Sequence, residues 1–157
     1  VGVRADGQRE EAVAKEGSGG EQNRRVVLLY CHRVLRQGES VGAAADSSFG
    51  LPIQPVAVAC GSSVEVSHIL KILADGAAAV EVVTCADDCC SSLLGSRRAQ
   101  RRVEYARQLL GQAGVDPARV GHTLASDATS AEVLELAVSR AKAVFSEMPG
   151  VPKGEDQ

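Results

Sequence analysis

Apolar positions gather into four short runs, and amphipathic stretches separate them. Residues 26–31 read VVLLYC, 55–60 PVAVAC, 78–85 AAVEVVTC and 118–125 ARVGHTLA. The first three are nearly continuous rather than alternating, which predicts strands covered on both faces. The fourth is weaker and follows the turn signal Asp116-Pro117. Elsewhere the period lengthens to that of a helix. Gly61-Ser62-Ser63-Val64-Glu65 predicts a capping box with Ser62 as N-cap and Glu65 three residues on. Val66, Ile69, Leu70 and Leu73 then share a face until Gly76 stops the helix. Residues 98–112 place Val103, Ala106, Leu109 and Leu110 on one stripe and end at Gly114. Thr129-x-x-Glu132 predicts the cap of a last helix with Val133, Leu134, Ala137, Ala141, Val144 and Phe145 inward. Residues 32–52 hold no clear period beyond a short helix near 41–45 inside a long loop.

Strands alternating with helices imply right-handed crossovers and helices on both faces of a parallel sheet. The expected fold is therefore α/β: an open doubly wound parallel sheet of four to five strands, a flavodoxin/Rossmann-like three-layer sandwich. Residues 1–24 are charged and Gly-rich with few large apolar side chains, and 149–157 carry two prolines and two glycines. Neither end buries enough surface to offset its ordering entropy, so both are expected to be disordered tails around one α/β domain at 25–148.

Composition narrows the function. With 45% hydrophobic residues but no Trp, two Phe and two Tyr, the core must be aliphatic. A net charge of −3 gives no global attraction to phosphate backbones, which sets nucleic acid aside as a partner. No apolar run approaches the roughly 18 residues of a membrane span, and the first residues lack the pattern of a signal peptide. A cytoplasmic protein with no membrane span is expected.

Five cysteines then change the picture. Cys31, Cys60 and Cys85 each end a predicted strand. Parallel strands point their carboxyl ends the same way, so these thiols are expected on the rim where open α/β sheets bind ligands. Neighbouring strands stand about 4.8 Å apart, close enough to share a metal centre. Cys90 lies in a loop able to fold back, which makes four candidate ligands: Cys31, Cys60, Cys85 and Cys90. Four thiols suit zinc or an iron–sulfur cluster. The C-x4-C spacing from Cys85 to Cys90 occurs in plant-type [2Fe–2S] loops, whereas the chain has no C-x2-C zinc knuckle, so iron–sulfur is favoured. Packing as small hydrophobes is the alternative without metal. Cys89 has no evident role. No G-x-G-x-x-G or P-loop follows a strand, and Cys89-Cys90 is not C-x-x-C, so neither nucleotide binding nor thiol exchange is supported.

Residues 56–120, VAVACGSSVEVSHILKILADGAAAVEVVTCADDCCSSLLGSRRAQRRVEYARQLLGQAGVDPARV, resemble the iron–sulfur delta subunit of methyl-viologen-reducing hydrogenase. Members of that family read C-S-G-R-V, then G-C-H-P-G-D-C-H-Y, then G-N-Y-R-A-E-K-R-V. Cys60-Gly61-Ser62-Ser63-Val64 occupies the first slot, Cys85 and Cys90 keep the spacing of the second, and residues 95–103 match the third. The resemblance extends over roughly 26–147. It implies a [2Fe–2S] cluster that relays electrons between a hydrogenase or dehydrogenase subunit and a heterodisulfide-reductase-like FAD/iron–sulfur subunit, with no bond chemistry of its own. Three departures stand out. Val34 replaces a cysteine expected after the first strand, Ser63 replaces an arginine, and Ala86-Asp87-Asp88-Cys89 replaces His-Pro-Gly-Asp. A cluster-less structural adaptor and a zinc-binding α/β domain therefore stand beside the relay, with His32 as a substitute ligand. Arginines 97, 98, 101 and 102 crowd the start of a helix, where positive charge opposes the macrodipole. Arg97 and Arg98 are accordingly expected to bind an anionic cofactor or an acidic partner.

Overall fold

The computed structural model describes residues 25–42 and 52–145. Four strands form one sheet: β1 (Val26–Cys31), β2 (Ile53–Val58), β3 (Ala79–Cys85) and β4 (Val120–Ala125). Their order is β2-β1-β3-β4 and every pairing is parallel. Three helices cover them: α1 (Val66–Ala74), α2 (Gly95–Gln112) and α3 (Ser130–Phe145). The predicted α/β sandwich is thus present with four strands among the described residues. The expected tails lie outside those residues, as does most of the helix expected near 41–45; Val41 and Gly42 are not helical.

Alternation along the central strands divides the core. Val26, Leu28 and Tyr30 face α3 through Val133, Ala137, Ala141 and Val144. Val27 and Leu29 face α1 and α2 through Ile69, Leu73, Val103, Ala106 and Leu110. All six residues of β1 and all seven of β3 are buried, as their continuous apolar runs require.

Two expectations need correction. The second strand is Ile53–Val58 rather than 55–60, and only Ile53 is buried in it. As an edge strand it has one neighbour and tolerates Pro55, whose missing N–H costs no ladder bond on the open side. Cys60 therefore lies beyond the strand end. The first helix is not capped by Ser62 either, because Gly61–Ser63 forms a separate 3-10 turn. Glu65 is the N-cap, and its N–H donates to His68 Nδ1 at 3.2 Å. The serines are occupied instead by Cys60: Ser63 Oγ donates to its carbonyl at 2.7 Å and Ser62 Oγ to its sulfur at 3.2 Å. The last helix starts as predicted, with Thr129 Oγ1 accepting from Glu132 N at 3.2 Å and Glu132 Oε2 accepting from Thr129 N at 2.7 Å.

One buried polar feature breaks the apolar run of β3. Glu81 is 1% exposed, accepts from Arg140 Nε on α3 at 2.7 Å, and accepts from Thr123 Oγ1 on β4 at 2.7 Å. Gly121, paired with Glu81 across the sheet, leaves the room: a Cβ there would collide with both Arg140 and Glu81. Removing Arg140 alone strands a buried carboxylate, a loss of about 3–5 kcal/mol. Arg140→Met is expected to lower the urea midpoint accordingly, and the double variant Glu81→Leu/Arg140→Met to recover most of it.

Candidate metal centre

The crossover from β1 leaves toward β2 while that from β3 leaves toward β4, so the strand order reverses between two hydrogen-bonded neighbours. The crevice beyond their carboxyl ends is the position where open α/β sheets place ligands. Cys31 and Cys85, the last residues of β1 and β3, meet there. Both are buried, and Cys85 Sγ stands 3.5 Å from Cys31 Sγ. A tetrahedral metal with metal–sulfur bonds of about 2.3 Å sets its sulfurs about 3.8 Å apart, so this pair already spans one edge of such a site.

A second pair forms alongside. Cys60, past the end of β2, takes hydrogen bonds to its sulfur from Ser62 N at 3.4 Å and Ser62 Oγ at 3.2 Å, with Ser92 Oγ 3.1 Å away. Cys90 sits at the N-terminus of α2, where the N-cap residue Leu94 has no side-chain acceptor to offer. A Cβ built on Gly95 would lie 2.7 Å from Cys60 Sγ and 3.1 Å from Cys90 Sγ, so the two sulfurs are neighbours across a glycine that has room for nothing else. Gly61 is equally confined, since a Cβ there would lie 2.6 Å from Thr84 Cγ2. Among the described residues, no three His, Cys, Asp or Glu side chains surround a single point as a closed cage for one ion. The thiols stand as two adjacent pairs.

The pairs differ electrostatically. Burial, reinforced by its hydrogen bond to Cys31, pushes the Cys85 thiol up to about 12. For Cys60, burial opposes ionisation, but its hydrogen bonds with Ser62 and Ser92 outweigh it and hold the thiol below its usual range. Cys90 behaves alike: the Ser96 side chain and the backbone N–H groups of Ser96, Ser92 and Gly95 overcome its desolvation. Free N–H groups at a helix start stabilise a thiolate in this way.

Other residues hold the pairs in place. Ser96, 2% exposed, donates from Oγ to the Cys85 carbonyl at 2.5 Å, joining α2 to the end of β3. Arg102 donates to the carbonyls of Ser62 at 2.6 Å and Val64 at 3.0 Å and pairs with Glu65 at 2.8 Å, clamping the turn after Cys60 onto α2. Neither role is apparent from the sequence, where Ser96 is one small residue among many and Arg102 one arginine of four. Arg97 and Arg98 are exposed. Arg97 Nε pairs with Asp87 at 3.1 Å, and both arginines line a surface groove rather than touching a sulfur. His32 is exposed, with Nδ1 3.5 Å from the Val58 carbonyl. Cys89 is exposed too, its Sγ 3.5 Å from Asp88 Oδ1. Val34, the departure from the family pattern, is fully buried in the α3-side core, where it serves packing.

The family model for methyl-viologen-reducing hydrogenase, delta subunit, matches residues 26–144. Among curated proteins, the iron-sulfur subunit of the vhu F420-non-reducing hydrogenase of Methanopyrus kandleri is 30% identical over 95 residues, 60% of this chain and 72% of the relative. The iron-sulfur subunit of the F420-non-reducing hydrogenase of Archaeoglobus profundus is 28% identical over 95 residues, 60% and 69% of the two chains. That match spans most of the chain, and the chain belongs to the methyl-viologen-reducing hydrogenase delta-subunit family.

Proposed function

We propose that this chain is an electron-relay subunit carrying a [2Fe–2S] cluster, with Cys31 and Cys85 on one iron and Cys60 and Cys90 on the other. The observation that carries the reading is the arrangement of four thiols as two neighbouring pairs at the switch point. A mononuclear zinc site asks for four donors around one point, whereas a two-iron core asks for two donors at each of two adjacent points. Such a cluster supplies one-electron chemistry. The protein contributes hydrogen bonds to the sulfurs from Ser62 and the start of α2, which favour the reduced, more negative state. Arg97 and Arg98 act in the same direction through space, as positive charges flanking the rim. The subunit performs no bond chemistry; it fixes the relay between a donor and an acceptor. The proposed donor is a hydrogenase or dehydrogenase subunit, and the proposed acceptor a heterodisulfide-reductase-like FAD/iron–sulfur subunit. Among the described residues no helix is long and apolar enough to cross a membrane.

Protein purified without oxygen is expected to be brown and to contain about two iron and two sulfide per chain. Cys60→Ser and Cys85→Ser should each bleach the visible spectrum, while Cys89→Ser should leave it intact. Zinc alone would instead identify a zinc domain, and a folded colourless protein without metal would identify a structural adaptor.

A second prediction isolates the glycine between the pairs. In an ordinary helix Gly→Ala gains roughly 0.5–1 kcal/mol. Gly95→Ala here places a methyl group against two sulfurs. Far-ultraviolet dichroism should be retained while iron content falls by about half or more, a separation that a general folding defect would not produce.

A further inference from the structure

The loop that delivers Cys90 to the rim carries exposed side chains whose identities the sulfurs do not explain. Leu93 adopts φ 55, a left-handed conformation normally left to glycine or asparagine, and is 79% exposed. Leu94 beside it is 47% exposed and serves as the N-cap of α2 with no capping side chain. The first turn of that helix contains no acidic residue. Leu94, Arg97, Arg98 and Arg101, at spacings of three and four, line a surface groove of about 320 Å³. Arg97 is paired with Asp87, but neither Arg98 nor Arg101 has an ion-pair partner among the described residues. Tyr105, 53% exposed, continues the stripe one turn further. Its neighbour Glu104, bonded to Gln100 Nε2 at 3.1 Å, is the acidic group on this stretch of helix.

Each of these choices works against the isolated fold. A glycine at 93 would relax the backbone, a polar residue at 94 would suit its exposure, and an acidic residue in the first turn would suit the macrodipole. Rules broken together on one exposed patch mark a surface selected for contact rather than for stability. Exposed leucines rimmed by arginines are the composition of a protein docking face, apolar at the centre and charged around it. Three arginines over a groove specify the sign of the occupant.

We propose that Leu93, Leu94, Arg97, Arg98 and Arg101 form the docking face for an acidic surface of a partner protein, which seats an apolar projection on the two leucines. The face begins three residues after Cys90, on the outer side of the turn that holds that thiol inward. This rests on the reading that the chain works within an assembly, but not on the cluster being present.

The test uses the full chain purified with its assembly from its native source, with hydroxyl-radical footprinting at Leu93 and Leu94 and affinity for the remaining subunits at low and high salt. Both leucines should be oxidised in the isolated chain and protected in the assembly. Arg101→Glu should weaken association about tenfold or more, and added salt should weaken the unaltered chain likewise. Leu93→Gly should weaken association without lowering the thermal midpoint, which separates lost contact from lost folding. Leucines that stay labelled in the assembly, or are already shielded in the isolated chain by its own acidic end segments, overturn the proposal. So does an affinity indifferent to both variants, or a chain recovered with no stoichiometric partner. Iron content and visible spectrum are read on the same samples, so a missing cluster and a missing partner are told apart.

Discussion

The parallel pairing of β1 with β3 is the constraint from which the rest of the rim follows. The two strands are adjacent in the sheet although β2 and α1 intervene in sequence. Their crossovers must then depart in opposite directions, and the space between the departures is left open by both. Because the pairing is in register from Val26 with Ala79 to Tyr30 with Val83, the strands end at nearly the same height and two thiols face each other. Hydrophobic burial sets this register. A slip of one residue would turn the α3-facing set of β1 toward α1 and α2, exchanging the two halves of the core.

What the sequence discloses is explained by the same physics. Continuous apolar runs in β1 and β3 are unambiguous because both faces are covered, so their ends, and Cys31 and Cys85 with them, can be placed to within a residue. The edge strand is harder to place because PVAVAC is as apolar as a buried strand, yet its position depends on where pairing with β1 begins. Ser62 reads as a helix-capping residue for a related reason. A serine hydroxyl serves a helix N–H or a sulfur equally well, and only the fold decides which one is near. Glu81 and Arg140 lie 59 positions apart, and no local pattern announces a buried ion pair at that separation.

Function and stability pull in different directions at the start of α2. The N–H groups at its start favour an acceptor, and the Cys90 sulfur accepts from them within the chain. With the N–H groups so occupied, the outer side of the same turn is free to carry leucines and arginines that a solitary helix would avoid. The inward and outward faces of one turn therefore serve separate ends, the sulfurs on one side and the groove on the other.

The two thiol pairs also differ in how readily each would give up its protons to a metal. At neutral pH the buried Cys85 stays protonated, held up to about 12 chiefly by desolvation, so a metal held there would have to take the place of its proton. Cys60 and Cys90 are already biased toward the thiolate by donors built into the loop and helix. Desolvation penalises a lone thiolate but much less a thiolate beside a cation, so a bound cation would offset that cost at the buried pair. Burial and hydrogen bonding thus act oppositely on the two pairs: donors around Cys60 and Cys90 ease their ionisation, and burial opposes it at Cys85.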